Sequence, residues 1–293
     1  LKNTKKDHLA IAMESNFSNL SLDFMHRFIP KFFKINGKAT GSISINGTSE
    51  ETYFYYDINI DNPEFDLVKM YTLVSKGNYN GKKLIVEMAQ ASNKDGFIEA
   101  SGSVPFDLNI GSSSFGKYFE NDSIQFETEA NLSNLPFLSP YIPDLDSAGG
   151  SYKINLFLKG PVNNINRNGY IIVQNGVLYT QLLNDPIRFI EGEAQLINNK
   201  LIFKDLTANL DYDNGNKISP KTFNTRINGD VDLTNFFNPL YNLKINAKNA
   251  FFRLLSLDIY GRTNLDIEIA GRDTVSIIGK IEPQEVNVFY EFA

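Results

Sequence analysis

Three segments of this chain share one pattern, in which two glycines separated by nine residues enclose an alternation of apolar and polar side chains. The segments run from Gly37 to Gly47, from Gly150 to Gly160 and from Gly261 to Gly271. Successive residues of a β-strand point to opposite faces of a sheet, so this alternation predicts strands with one apolar and one polar face. Glycines that enclose strands also argue against a phosphate-binding loop, which joins a strand to a helix.

Similar alternation predicts strands through most of the chain. Ser21 is a plausible N-cap for one short helix over residues 22–29, which Pro30 would end. The predicted strands outside the three glycine frames are Phe54–Ile60, Phe65–Leu73, Lys83–Met88, Phe97–Val104, Phe106–Ile110, Ile124–Leu132, Val275–Ile281 and Val286–Phe292.

The chain also resembles itself at an offset near 113 residues. Asn131–Leu135 matches Asn16–Leu20, and Ile171–Asn175 matches Ile58–Asn62. We therefore predict repeats of roughly 112 residues in one continuous sheet. The predicted divisions are a lead-in at 1–15, repeats at 16–130 and 131–248, and a truncated repeat at 249–293 of a longer chain. The predicted fold class is all-β: a long antiparallel meander bent into a U-shaped sheet with an apolar interior and few short helices.

Composition argues against an enzyme. The 293 residues include no cysteine and no tryptophan, and the only histidines are His8 and His26. Thiolate chemistry and Cys/His zinc sites are therefore impossible, and we expect no catalytic residues, no metal and no cofactor. The net charge of −6 weighs against nucleic acid as a partner, which requires a basic stripe. No apolar run reaches the length of roughly 18 residues that a membrane-spanning helix needs.

The apolar face is what remains to explain, and it has two interpretations. It is either the filled core of a β-sandwich or β-helix, or the wall of an open trough. An open apolar trough is a liability unless it has an apolar occupant, and acyl chains fit it because each buried methylene contributes about 0.8 kcal/mol. The candidate lining residues are Ile43, Ile45, Phe54, Tyr56, Ile58, Ile60, Ile124, Phe126, Tyr152, Ile154, Leu156, Leu158, Ile227, Val231, Leu243, Ile245, Leu265, Ile267, Ile269, Val275, Ile277, Val288 and Tyr290.

The strand-turn-strand unit at Gly150–Thr180 resembles the C-terminal part of the TamB/AsmA-like bacterial envelope proteins. The stretches Gly192–Leu206 and Ile227–Leu233 resemble the same family, which includes the translocation and assembly module and is of the bridge-like lipid-transfer type. The resemblance implies a taco-shaped sheet in the periplasm of a diderm bacterium, anchored in the inner membrane by a helix outside this segment. It also implies phospholipid transport toward the outer membrane and a BamA-like β-barrel partner.

Three functional hypotheses follow. The first is a conduit that shields phospholipid acyl chains between the inner and outer membranes. The second is an assembly chaperone whose sheet edge, near Val288 to Phe292, pairs with strands of an outer-membrane barrel by β-augmentation. The third is a passive structural protein with a filled core, such as a surface β-helix adhesin.

Overall fold

A computed structural model describes residues 9–22, 35–65, 68–119, 121–135, 145–181, 183, 185–211, 223–235, 238–254 and 259–288. These ranges form β-strands joined by turns and loops, and none of them forms an α-helix. The strands are β1 (Ala10–Ser21), β2 (Ile35–Thr48), β3 (Thr52–Phe65), β4 (Val68–Lys69), β5 (Thr72–Tyr79), β6 (Leu84–Asn93), β7 (Gly96–Val104), β8 (Ser123–Asn134), β9 (Leu145–Pro161), β10 (Asn166–Thr180), β11 (Ile187–Ile197), β12 (Lys200–Asn209), β13 (Thr225–Asp232), β14 (Leu240–Leu254), β15 (Ile259–Gly271) and β16 (Val275–Val288).

The strands form one open sheet in which each strand lies beside its neighbours in the chain. The path runs from β1 to β16 in sequence order, except that the two-residue strand β4 pairs only with β3. Pairing is antiparallel from β1 through β7 and again from β10 through β16. The predicted all-β antiparallel meander is therefore confirmed. The bend and the repeats remain predictions. Apart from Leu22, the helix predicted over residues 22–29 lies outside the described ranges.

Four predicted strands were wrong in detail. The strand predicted over Phe65–Leu73 is instead the end of β3, the short β4 and the start of β5. Residues 106–110 form a loop, in which Phe106 makes a single isolated bridge to Tyr118. The two strands predicted at the end of the chain are one strand, β16, which continues through Pro283. A proline is tolerated there because β16 lies at an edge of the sheet, where a missing N–H need not break the pairing.

By internal contacts the chain divides into two compact units. The first contains Leu1–Ala130 and Leu156–Asn166, and the second contains Asn131–Asn155 and Arg167–Ala293. In the description below, unit 1 and unit 2 refer to these two sets of residues.

Several strands contain bulges at which a residue other than glycine has a left-handed backbone. Asn19, Asn175, Asp205 and Asn249 have φ angles of 55°, 50°, 52° and 49°, and each lies at a shift in pairing register. Asn and Asp tolerate this conformation better than other residues do. Each N–H is accepted by a side-chain oxygen of the next strand, and the acceptors are Thr40, Glu191, Asn228 and Asn264 at 2.8 to 3.3 Å.

The paired glycines of the three frames have two different roles. Gly47, Gly160 and Gly271 lie at or beside turns, with φ angles of 114°, 131° and 130°. Gly37 and Gly150 lie inside strands, where a Cβ atom would stand 2.9 Å from Ile60 Cγ2 and 2.7 Å from Gly176 Cα. The second glycine of each frame therefore lies at a turn, whereas Gly37 and Gly150 allow a close approach inside the sheet.

Candidate functional site

In unit 1, the candidate apolar residues of neighbouring strands stand opposite one another on one face of the sheet, here called the apolar face. Ile45 pairs with Phe54, and Phe54 pairs with Tyr79. One row further along, Ile43 pairs with Tyr56, and Tyr56 pairs with Gly77. Side chains of directly paired residues lie on the same face, so the register of β2, β3 and β5 assembles these residues into a continuous surface.

Unit 2 has the same arrangement. Ile227, Ile245 and Ile267 form one cross-strand row from β13 to β15. Leu243 and Ile269 continue a second row that reaches Ile277 on β16. Here too the pairing brings predicted apolar residues onto one face of the strands, and in unit 2 the term apolar face refers to this face.

The apolar face carries no charge in the strands whose pairing is defined. Across β1 to β7 and β10 to β16, no Asp, Glu, Lys or Arg side chain belongs to this face at a described and paired position. Its polar groups include the hydroxyls of Ser75, Thr225 and Thr263. A charge on a surface that excludes water would be costly, so this composition suits apolar contact.

The opposite face carries the charged residues. Lys244 Nζ lies 3.3 Å from Asp266 Oδ1 and 3.7 Å from Glu268 Oε1 on the next strand. Lys200 Nζ lies 3.6 Å from Asp230 Oδ1. These side chains are largely exposed, and exposed ion pairs of this kind contribute little to stability. We infer that this face is adapted to water.

Most candidate residues on the apolar face are only half-buried. Among the described residues, 17 hydrophobic residues are buried, of which seven are alanines, and Tyr152 and Val231 are the only candidate residues in that group. Within the described ranges, therefore, the apolar face is not covered by a second layer in the way a β-sandwich covers its core. The half-buried candidates are Ile43, Ile45, Phe54, Tyr56, Ile58, Ile60, Ile124, Phe126, Ile154, Leu156, Leu158, Ile227, Leu243, Ile245, Leu265, Ile267 and Ile269.

The other candidates differ in their exposure. Tyr152 and Val231 are buried, whereas Val275 is 43% exposed and Ile277 is 70% exposed on the edge strand β16. Val288 is the last residue of β16, and Tyr290 lies outside the described residues.

One part of the face in unit 2 does form a closed local core. Ile190, Leu206 and Ala208 are buried together, and Ala208 is fully inaccessible. These three residues are not among the candidates predicted from the sequence, because the bulges at Phe189 and Asp205 interrupt the two-residue alternation on β11 and β12. The face therefore combines one packed region with half-exposed regions.

Four tyrosines occupy strand positions in the same alternation as the apolar residues, and they remain neutral well into the alkaline range. Burial raises the pKa of Tyr56, Tyr79, Tyr152 and Tyr241 above the ordinary value. Removing a phenolate from water is unfavourable, so the folded protein retains the protonated hydroxyl. The face consequently gains no charge from these groups near neutral pH.

A buried polar cluster lies in unit 1, at the end of the apolar face. Asn109 accepts a hydrogen bond from the backbone N–H of Thr52 at 2.9 Å and donates to Tyr79 Oη at 3.3 Å. Asp107 accepts hydrogen bonds from Asn109 and from the hydroxyls of Ser112 and Ser114. These contacts fix residues 105–119, here called the rim loop, against the β2–β3 and β5–β6 turns. The sequence pattern does not reveal this cluster, and the alternation over residues 106–110 predicted a strand at its start.

The charge of Asp107 depends on these bonds. Burial alone would raise the pKa of Asp107, but the hydrogen bonds from Ser112, Ser114 and Asn109 outweigh it and hold the pKa below the usual value. The carboxylate is therefore ionised at neutral pH and acts as the acceptor that orders the rim loop.

An open cleft of about 660 Å³ borders this cluster. Its acidic lining residues are Glu50, Glu51, Asp107 and Asp122, and Lys82 is the one cation among its described lining residues. Across the part of the chain that the structure describes, no group of three or more His, Cys, Asp or Glu side chains is arranged to hold a metal ion. None of the described ranges contains a helix with the length and hydropathy needed to cross a bilayer.

Compared with known proteins, the chain matches no family model, no curated protein and no solved structure.

Proposed function

We propose that this protein is a lipid-binding conduit, in which the apolar face shields the acyl chains of phospholipids in transit. The observation that carries the proposal is the apolar face itself, which is uncharged at the described positions of every strand of defined pairing yet only half-buried at most of its large side chains. A surface of this kind avoids water without having a protein layer above it among the described residues. An apolar occupant resolves that conflict.

Burial of acyl chains on this face would supply enough free energy for binding. Each methylene removed from water contributes about 0.8 kcal/mol, so one acyl chain of ordinary length gains roughly 10 kcal/mol if it is fully buried. An open face that buries about half of the chain's surface still leaves roughly 5 kcal/mol per chain. The interaction needs no directional partner, which agrees with a face of Ile, Leu, Val and Ala side chains.

We also propose a cellular location for the conduit. Its basis is the resemblance of Gly150–Thr180 and Gly192–Leu206 to the TamB/AsmA-like envelope proteins. We place the conduit in the periplasm of a diderm bacterium, bridging the inner and outer membranes through an anchor outside this segment. Its cargo is phospholipid or another acyl-chain lipid, and no catalytic step or cofactor is required.

Two neighbouring residues provide a sharp test. Ile277 and Ile278 lie side by side on β16 with exposed fractions of 70% and 69%, but they point to opposite faces. Ile277 pairs with Ile269 on the apolar face, and Ile278 pairs with Glu268 on the charged face. Replacing either with Asp should leave folding intact, because both side chains are already in water.

The measurement is lipid binding by native mass spectrometry, combined with transfer of a fluorescent phospholipid between vesicles. We expect Ile277→Asp to reduce binding and transfer several-fold and Ile278→Asp to leave both near the wild-type level. Ile267→Asp and Leu156→Asp, deeper on the candidate face, should have larger effects, with circular dichroism to verify that the sheet is retained. Unchanged transfer in Ile277→Asp, Ile267→Asp and Leu156→Asp would refute the conduit.

A second candidate function is an assembly chaperone for outer-membrane β-barrel proteins, acting with a BamA-like partner. The observation that favours it is the edge strand β16, on which Ile277, Ile278 and Ile281 are all strongly exposed. An exposed apolar edge can receive an added strand. Pro283 lacks an N–H group, so strand addition would be confined to Val275–Glu282.

Photo-crosslinking separates the two functions. A photoreactive residue at position 278 should capture a client strand if β16 receives one, whereas a photoreactive residue at position 267 should capture lipid if the apolar face binds acyl chains. Protein adducts at 278 without lipid adducts at 267 would favour the chaperone.

A further inference from the structure

The rim loop exposes large apolar side chains that the apolar face does not account for. Ile110, Phe115 and Tyr118 have exposed fractions of 52%, 45% and 49%, all within nine residues of a loop. The intervening residues are mostly serine and glycine. Exposed apolar side chains grouped on a loop mark an interaction site more strongly than single apolar residues scattered over strands.

The base of this loop is firmly held. Phe119 N–H donates to Pro105 O at 3.0 Å, Gly116 N–H to Asp107 O at 2.8 Å, and Asp107 N–H to Lys117 O at 2.9 Å. Phe106 and Tyr118 pack edge to face with ring centroids 4.9 Å apart. An ordered loop presents its apolar side chains with little further loss of conformational entropy, which favours binding.

The same loop adjoins the apolar face. Leu108 N–H donates to Tyr79 Oη at 3.0 Å, and the Tyr79 ring stacks on Phe54 with centroids 5.2 Å apart. Phe54 in turn pairs with Ile45. The exposed apolar side chains of the loop are therefore anchored to one end of the surface to which we assign lipid.

The charges around the loop indicate the kind of surface it fits. The adjoining cleft exposes Glu50, Glu51 and Asp122 against Lys82, and the loop itself carries the exposed Lys117, so acidic side chains outnumber basic ones. An acidic surrounding repels anionic lipid and complements the amine group of a zwitterionic headgroup. Aromatic residues such as Phe and Tyr bind favourably at the headgroup level of a bilayer.

We propose that the rim loop docks unit 1 on the surface of a zwitterionic phospholipid bilayer, with Ile110, Phe115 and Tyr118 entering the headgroup region. This inference rests on the proposed lipid conduit and adds the site at which a membrane meets the end of the apolar face. The alternative occupant, a protein, is an outcome of the test below.

The absence of tryptophan from the sequence makes a direct probe available. The Phe115→Trp variant carries one tryptophan on the rim loop. The Phe157→Trp variant carries one on the polar side of β9, where Phe157 is 43% exposed. With vesicles of phosphatidylcholine, we expect the emission of the Phe115→Trp variant to shift to shorter wavelength and become shielded from iodide. The Phe157→Trp variant should show neither change.

Affinity provides the second measurement. We expect the double variant Phe115→Ser/Tyr118→Ser to bind phosphatidylcholine vesicles at least roughly tenfold more weakly in sedimentation, since two partly buried aromatic side chains are lost. Phe157→Ser is the matched control and should bind as wild type does. Vesicles of phosphatidylglycerol should bind more weakly than phosphatidylcholine at low salt.

Each outcome decides the proposal. No emission shift for the Phe115→Trp variant, or equal shifts in both tryptophan variants, would overturn docking through the rim loop and leave a protein as its occupant. Stronger binding to phosphatidylglycerol would overturn the assignment to a zwitterionic surface. Lipid binding to the apolar face is measured separately with Ile277→Asp and Ile278→Asp. Docking can therefore fail while the conduit stands, and the conduit can fail while docking stands.

Discussion

Strand β15 shows the two faces of the sheet within a few residues. On one side, Asp266 and Glu268 reach Lys244 of β14 and remain in water. On the other side, Ile267 and Ile269 face Ile245 and Leu243, and no charged residue interrupts their rows at the described positions. Both faces are built from the same backbone hydrogen bonds, so the difference lies entirely in the side chains.

This difference shows that both faces of the sheet are at least partly exposed, although only one of them carries charged side chains. The charged face is exposed, as expected of any soluble surface. The apolar face is also partly exposed, yet it has kept an uncharged composition that exposure alone does not require. The apolar ligand that we propose for this face would explain the combination of an uncharged composition with partial exposure.

Introducing a carboxylate on each face in turn should give the largest difference in the free energy of unfolding. Ala208 is fully inaccessible on the apolar face, and Lys204 is exposed on the opposite face of the same strand. We expect Ala208→Asp to lower the free energy of unfolding by about 4 kcal/mol, because an unpaired charge would be buried. Lys204→Asp should lower it by at most about 1 kcal/mol, which includes repulsion from the directly paired Glu193. Urea denaturation measures both, and equal losses would contradict the distinction between the faces.

Removing a native carboxylate from the rim loop and one from the charged face compares the contributions of the two to stability. Asp107→Ala should lower the free energy of unfolding by roughly 2 to 3 kcal/mol, because the donors from Ser112, Ser114 and Asn109 lose their acceptor. Asp266→Ala removes an exposed partner of Lys244 and should cost at most about 1 kcal/mol. The reverse order in thermal or urea unfolding would show that the rim cluster does not stabilise unit 1.

Acid titration provides a check on the same carboxylate. The pKa of Asp107 is lower when folded than when unfolded, so its contribution is fully present above the ordinary carboxyl pKa of about 3.9. The contribution is lost as the pH falls through the folded-state pKa. Asp107→Ala should therefore show a smaller loss of stability on acidification than wild type does.

Two adjacent glycines give the smallest effect. Gly150 has a φ angle of 134°, and an added Cβ would stand 2.7 Å from Gly176 Cα. At Gly149, the nearest described atom to an added Cβ would be Ser133 O, at 4.0 Å. We expect Gly150→Ala to cost about 1 to 2 kcal/mol. Gly149→Ala should be neutral or stabilising by about a few tenths of a kcal/mol, since it restricts the unfolded chain. A loss for Gly149→Ala comparable to that for Gly150→Ala, in thermal unfolding, would contradict the close approach at Gly150.

Two-residue alternation was sufficient to predict the fold class and the face on which most candidate residues lie. It failed where small or polar residues occupy the apolar face. Strand β5 was missed because Ser75 and Gly77 weaken its pattern, although both belong to that face. The end of β16 was predicted as a separate strand because the alternation shifts after Ile281, whereas a bulge between Pro283 and Glu285 lets one strand continue.

The rim loop could not have been predicted from local sequence. Phe106, Leu108 and Ile110 alternate as a strand would, but the backbone there is fixed by Asn109, which bonds to Thr52, 57 residues away. No local pattern reports a contact of that kind. The degree of burial was also beyond the sequence, because it depends on what lies above the face.

The capped bulges have a consequence for how such a sheet selects its pairing. Neighbouring strands with the same alternation could slide by two residues and still keep every side chain on its proper face. Asn175 and Asn249 prevent this, because a slide would remove their N–H groups from Glu191 Oε1 and Asn264 Oδ1. Each capped bulge thus specifies one register of the two strands among several that are compatible with the apolar pattern alone.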